Sequence, residues 1–424
     1  MDQRWWGESG ITRHLEETVL ARLNETPVVV LNGARTVGKS TLMQTCAAAR
    51  GAGVIDLDDP ETRAAVERDP TLFVHGLPEP ICFDEFQHVL PLLDAIKAEL
   101  NQDLRPGRYL LTGSTRYATL PAASQSLTGR AHVVTMWPFS QGELHGHRET
   151  FLASLMAEAP ALTSAAISRT SRVDYEAMVL AGGFPLAVKR ESGSSRSRWF
   201  RDFVTMVIER DVLEIRAVRQ RGVLPRVLRH LASQTAQVLT LSRIASELGL
   251  SADLVEDYVR LMEAVFLVHR LEAYGRTLST RVRLQPKVHL VDSGLGAHFL
   301  GITETRLAKK DPATLTEFGH LLETFAVNEV LKQATWADES FRFSHYRTKD
   351  GAEVDLVIEA DDGRVAGVEV KASGTVAGAD FRGLEQLRGK LGDAFVAGVV
   401  LHLGQRSYEF ADRLFAVALD RLWS

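Results

Sequence analysis

The sequence predicts an α/β multidomain chain: a parallel-sheet core built around a phosphate-binding loop, a helical and winged-helix middle, and a smaller α/β domain at the C-terminal end. Three observations carry this prediction. At 424 residues the chain is longer than one ordinary core organises, so two or three domains are expected. An apolar run, Val28 to Leu31, leads into the glycine-bounded loop Gly33-Ala34-Arg35-Thr36-Val37-Gly38-Lys39-Ser40, and a helical pattern follows it. Near the other end, GAEVDLVIEADDGRVAGVEVKAS (Gly351 to Ser373) reads as two alternating strands joined by an Asp-Asp-Gly turn. The expected divisions are 1–150, 151–235, 236–300 and 301–424.

Composition narrows the class. The chain is 45% hydrophobic and 24% charged, and no apolar run approaches the ~20 residues of a membrane span. The opening MDQRWWGESG lacks the basic-then-apolar order of a secretory signal. Two cysteines, Cys46 and Cys82, cannot build a disulfide framework. A cytoplasmic protein without membrane partners is expected. The formal net charge of −5 argues against indiscriminate nucleic-acid binding. The charge is uneven, however: bases outnumber acids from Lys189 to Arg229, and Arg270 to Lys287 is basic again. Local basic surfaces on an acidic chain suit a DNA-directed module without requiring one.

The loop from Gly33 to Ser40 has the full P-loop spacing. Backbone N–H groups of such a loop, with the N-terminus of the next helix, present positive potential to phosphates. Lys39 is expected at the β- and γ-phosphates of ATP, Ser40 on Mg²⁺, and Thr41 beside it in the nucleotide site. A second strand, PICFDEFQHV, delivers Asp84 and Glu85 to its C-terminal end, where ligands of open α/β sheets bind. Asp84 is expected to hold Mg²⁺ and Glu85 to orient or deprotonate the attacking water. A third strand, RYLLTGSTR, ends in Thr112 and Ser114, small hydroxyls placed to sense a γ-phosphate. Arg116 and Arg130 follow, and either is a candidate to stabilise charge on the transferred phosphate; as single residues both also read as ordinary surface cations. IDLDD (Ile55 to Asp59) reads as a further parallel strand, its acids equally suited to a solvated loop.

Residues 151–235 read as helices with arginine-rich amphipathic segments, entered through a turn at GGFPLAVKR. In LTLSRIASELGLSADLVEDYVRLMEAVFLVHRL, Ile244, Ala245 and Leu248 form one apolar face. Gly249 breaks that helix, Ser251 can cap the next, and Val255, Tyr258, Val259, Leu261 and Met262 continue the pattern. Two short helices around a glycine turn match a helix-turn-helix, and the following stretch suits a β-wing. Arg243, Arg276, Arg281 and Arg283 are the candidate phosphate contacts. The same unit equally suits a packing module.

In the C-terminal pair, strict alternation puts Val354, Leu356 and Ile358 on one face and Glu353, Asp355 and Val357 on the other. Val368 and Val370 then oppose Glu369 and Lys371. Asp355, Glu369 and Lys371 can converge, either as a solvated ion pair or as a divalent-metal site with a lysine beside it.

ARTVGKSTL, IDLDDPETR, ICFDE, LLTGS, LTGR, LAGGFP, VHLVDSGL and the terminal EVDLVIE…EVKAS occur in series. Together they resemble a bacterial and archaeal family of ATPases with an N-terminal AAA-type domain and a C-terminal DUF4143 domain. The resemblance covers nearly the whole chain. It implies a AAA+ core whose subunits meet at nucleotide sites, hence a homo-oligomer, and a C-terminal restriction-endonuclease-like, PD-(D/E)XK fold. In nucleases of that type an Asp and a Glu bind Mg²⁺ and a Lys positions water. This implies Asp355 and Glu369 as the metal pair, with Lys371 third and Glu323 (or Glu329) added from a preceding helix. Two functions stay open: an ATP-driven machine acting on DNA, with ATP and Mg²⁺ as cofactors, or an ATP-dependent switch or scaffold acting on a protein partner through a degenerate nuclease fold.

Overall fold

The computed structural model describes residues 10–116, 127–163, 167–212, 215, 221–275, 284–348 and 350–424. The chain divides into two compact units. One comprises Met1–Phe139, Thr205–Arg219 and Arg260–Leu267; the other comprises Ser140–Val204, Gln220–Val259 and Val268–Ser424.

The first unit is organised by an all-parallel sheet of β1 (Val28–Gly33), β2 (Val54–Asp56), β3 (Ile81–Asp84), β4 (Tyr109–Gly113) and β5 (Ala131–Met136), in the order β2-β3-β4-β1-β5. Every residue of β1, β3 and β4 is buried, which is why these strands read as continuous apolar runs rather than alternating ones. Val30, Phe83, Phe86, Leu92, Ile96 and Tyr109 share one core. Because β1 lies between β4 and β5, the loop that follows it leaves an interior strand of the sheet. The helix Lys39–Ala49 begins directly after that loop. β2 is the strand expected at IDLDD, and Asp59 caps the helix Pro60–Arg68 by accepting from the Thr62 N–H. Cys46 and Cys82 are both buried, and burial pushes both thiols up to about 12.

Helices at Leu224–Ser233, Leu241–Leu248 and Ala252–Ala264 surround the expected break, and the second unit includes them as far as Val259. Gly249 ends its helix at φ 68°, a conformation that suits glycine, and the Ser251 hydroxyl accepts from the Leu254 N–H. Three short antiparallel strands, β6 (Gln237–Val238), β7 (Val268–Leu271) and β8 (Lys287–Leu290), lie in the order β6-β8-β7. The C-terminal sheet has six strands: β9 (Phe341–Arg347), β10 (Glu353–Ala360), β11 (Val365–Lys371), β12 (Phe395–His402), β13 (Tyr408–Ala411) and β14 (Leu414–Ala418). Their order is β13-β14-β12-β11-β10-β9. β10 and β11 form an antiparallel hairpin through the expected Asp361-Asp362-Gly363 turn.

The alternation in β10 differs from the sequence expectation. Val354 packs with Val357 beside Phe381 and Leu384. Leu356 and Ile358 belong to another cluster, with Phe318, Leu322 and Phe325 of the helix Pro312–Ala334. The cause is a register shift against β9 between Val354 and Val357: a bulge adds a residue and re-aims the side chains within it. Asp355 lies in that bulge. Among the described residues no helix is long and apolar enough to cross a membrane.

Candidate functional site

The P-loop is shaped by what its backbone must do. A Cβ on Gly33 would lie 2.3 Å from the Met136 carbonyl oxygen on the neighbouring strand β5. Gly38 caps the following helix at φ 101°, where an ordinary side chain is strained. Lys39 is buried and donates to the Gly33 and Ala34 carbonyls, both at 3.1 Å, with Glu85 at 3.9 Å. Burial lowers its pKa, although Glu85 and Asp84 act in the opposite sense.

The acids at the end of β3 occupy different environments. Burial raises the pKa of Asp84, against the Ser40 and Thr112 hydroxyls that hydrogen-bond its carboxylate. For Glu85 burial also acts upward, but the Lys39 charge and the Gln87 side chain outweigh it and hold the carboxyl below its ordinary range. Glu85 adopts φ 53°, rare outside glycine, asparagine and aspartate. Its N–H donates to the Thr112 hydroxyl at 3.1 Å, and its Oε2 accepts from Gln87 Nε2 at 2.5 Å and the Ser114 N–H at 3.2 Å. Thr112 and Ser114 are thus brought to the two acids. Ser40 and Asp84 supply adjacent hard oxygens, a donor set that fits Mg²⁺.

Arg35 projects from the loop to Asp211 in the π-helical segment Val207–Val212. Its Nε lies 3.0 Å from Oδ2 and its Nη2 lies 2.8 Å from Oδ1, a bidentate pair. Burial opposes the guanidinium charge, and the Asp211 carboxylate more than compensates, so the pKa of Arg35 is raised. Arg116 Nε donates to the Glu263 carbonyl at 2.7 Å and its guanidinium lies over the Phe266 ring. Arg130 reaches the Lys97 carbonyl at 3.4 Å. Neither of those contacts is with the P-loop.

The C-terminal cluster holds a residue the sequence reading passed over. Lys287, on β8 and only 1% exposed, places its ammonium 2.6 Å from Glu323, 2.7 Å from Glu353 and 2.9 Å from Asp355. Asp355 Oδ2 also accepts from the Val370 N–H at 2.9 Å. Lys371 pairs with Glu369 at 2.7 Å. The Glu369 Oε2 is buried without a hydrogen-bond partner, and burial, then the Asp355 charge, push this carboxyl up to about 8. Asp355 moves down instead, because Lys287 outweighs its burial. Of the two helical candidates, Glu323 joins this cluster, whereas Glu329 binds the Gln141 N–H and Lys332. Among the described residues no three His, Cys, Asp or Glu side chains are grouped as a metal ion requires. With an ammonium between its acids, the cluster as arranged does not fit Mg²⁺.

Arg243 is paired with Glu247 at 2.9 Å on the helix Leu241–Leu248; Arg276, Arg281 and Arg283 lie outside the described residues. Gln87, Asp211 and Lys287 are the site residues the sequence reading missed. Gln87 stands two places after Glu85 and was within reach of local reasoning. The other two are brought in by chain folding alone.

The N-terminal unit is thus a parallel-sheet P-loop core with an acid pair facing the loop lysine. Residues 25–145 match the model of an AAA domain and residues 318–422 the model of the DUF4143 domain, as the sequence resemblance implied. Residues 172–306 match another domain of unknown function, DUF8612. Uncharacterized proteins of Mycobacterium tuberculosis and Mycobacterium bovis are each 25% identical over 403 residues, covering 94% of this chain and 82% of theirs. Among solved structures, the Thermotoga maritima RuvB Holliday junction branch migration motor matches at 17% identity and a TM-score of 0.29, over 61% of this chain and 90% of that one. AMPPCP-bound DnaA of Aquifex aeolicus matches at 13% identity and a TM-score of 0.28, over 62% and 92%.

Proposed function

We propose that this chain is an Mg²⁺-dependent ATPase that acts on DNA, with residues 1–150 as its motor domain, 151–235 and 236–300 as helical and winged segments, and 301–424 as a nuclease-like domain that does not cut. The observation that carries it is the meeting of Lys39, Ser40, Asp84 and Glu85 at one end of the central strands. Lys39, held on loop carbonyls, is placed to exchange them for phosphate oxygens. Ser40 and Asp84 would hold Mg²⁺, which neutralises charge on the phosphates when bound. Glu85, kept ionised beside Lys39, is the group to orient and deprotonate water. Gln87 and Ser114 fix its carboxylate, and Thr112 bridges the two acids. Arg116 and Arg130 remain the candidates for the charge-stabilising arginine. A neighbouring copy of the chain would receive one of them, which is the reason to propose a homo-oligomer; a cytoplasmic placement belongs to the same reading.

The DNA part rests on element order. Helix, strand, two helices and two strands, from Leu224 to Leu290, follow one another as in a winged helix. Lys287 among the carboxylates favours the second reading in one respect: a nuclease-like fold without cleavage also suits a switch acting on a protein. ATP hydrolysis assayed with duplex, single-stranded, forked and four-way DNA separates the two. Stimulation supports the DNA reading, and indifference to all four supports the switch. Lys39→Ala is expected to abolish turnover, and Glu85→Gln to bind ATP without hydrolysing it; unchanged turnover in both variants overturns the ATPase itself.

A further inference from the structure

We propose that Lys287 is a built-in cation that occupies the position between Glu323, Glu353 and Asp355, making this cluster an ionic centre that works without metal. The geometry is that of a filled site. An ammonium carries three N–H donors, and three carboxylates each place one oxygen 2.6–2.9 Å from Nζ. A divalent ion shared by the same oxygens would stand where Nζ stands. The ammonium cannot swing out to solvent as a surface lysine does, because the side chain is buried and its β8 backbone is paired with β6 and β7.

The three acids come from three places: Glu323 from the helix Pro312–Ala334, and Glu353 and Asp355 from the start of β10 and its bulge. Lys287 therefore ties β8 to both the helix and the six-stranded sheet. Glu369 and Lys371, the rest of the expected metal set, pair with each other. The consequence is chemical: the centre offers no open coordination position and no metal-bound water, and it needs neither to be stable. The proposal does not rest on the ATPase reading.

The test is Mn²⁺ binding to the full chain without nucleotide, read by titration calorimetry and by the shift in melting temperature, with wild type compared against Asp355→Asn. Any Mn²⁺ held at the P-loop acids is common to both proteins and cancels. Wild type is expected to show no Mn²⁺ binding that Asp355→Asn removes. Lys287→Ala deletes the charge and vacates the position of Nζ. This variant is expected to gain Mn²⁺ binding and a Mn²⁺-dependent rise in melting temperature, both lost in the Lys287→Ala, Asp355→Asn double variant. Binding by wild type that Asp355→Asn abolishes overturns the proposal, as does a folded Lys287→Ala that gains none. If Lys287→Ala does not fold without metal, recovery of a folded chain on adding Mn²⁺ supports the proposal, and the wild-type comparison decides it independently.

Discussion

Glu369 makes the sharpest demand of any single side chain, because one carboxylate oxygen is buried without a partner while Lys371 holds the other. A neutral carboxyl meets that demand better than an anion does. With its folded pKa near 8 and an unfolded value near the ordinary ~4.3, the folded chain binds the extra proton between those limits. Its contribution to stability is therefore full below about pH 4, and it declines as pH rises through 8, by at most about 1.4 kcal/mol per pH unit. Urea unfolding at pH 5 to 9 is expected to show this fall in wild type and a much flatter profile in Glu369→Gln. Equal slopes in the two proteins would remove Glu369 as the cause. Arg35 gives a second residue-scale prediction. Its bidentate contact to buried Asp211 needs the planar guanidinium fork, so Arg35→Lys is not a conservative change. Arg35→Ala leaves a buried acid unpaired and is expected to lower stability by roughly 3–5 kcal/mol, measurable by denaturant titration. A loss no larger than a surface substitution gives would mean that water takes over the pairing of Asp211.

At the scale of elements, the β1–loop–helix unit was legible because everything that shapes it is local: an apolar strand, two glycines and a lysine within twelve residues of chain. Even so, the reason for Gly33 is tertiary. Its missing Cβ leaves room for the Met136 carbonyl on β5, so Gly33→Ala is expected to push β1 and β5 apart and lower the melting temperature. Gly38→Ala should act mainly through backbone strain, since the nearest atom to its Cβ is the Met136 Cε at 3.6 Å. Equal melting temperatures for Gly33→Ala and wild type would show that β5 yields without loss. The helix break at Gly249, the Ser251 cap and the Asp361–Gly363 turn were readable for the same local reason. The faces of β10 were not. Alternation assumes an unbroken ladder, and the bulge against β9 depends on a partner strand that no two-residue period reveals. Lys287 was hidden by distance along the chain: it lies 36 residues from Glu323 and 68 from Asp355. In the sequence it stood in a basic stretch that reads as a wing.

For the whole molecule, the balance of charge decides what kind of DNA contact the proposed function requires. A chain of net charge −5 has no general attraction for a polyanion, so the proposed binding would have to come from a local basic surface. Two arginines of residues 236–300 are paired within that segment: Arg243 with Glu247 and Arg270 with Glu256. Any phosphate contact by Arg243 must therefore displace an exposed ion pair, a small obstacle, since such pairs contribute ~0–1 kcal/mol. Arg276, Arg281 and Arg283 supply the remaining positive charge between β7 and β8. Replacing Arg243, Arg276, Arg281 and Arg283 together by alanine is expected to weaken binding about equally across DNA sequences. Contacts to phosphate carry no sequence information, and each one lost should reduce the slope of log affinity against log salt by about one. ATP turnover without DNA should persist in this variant, because none of the four belongs to the loop or the acid pair. Fluorescence anisotropy at several salt concentrations measures both quantities. An unchanged slope and affinity would mean that residues 236–300 are a packing module, and that DNA, if bound, is held elsewhere.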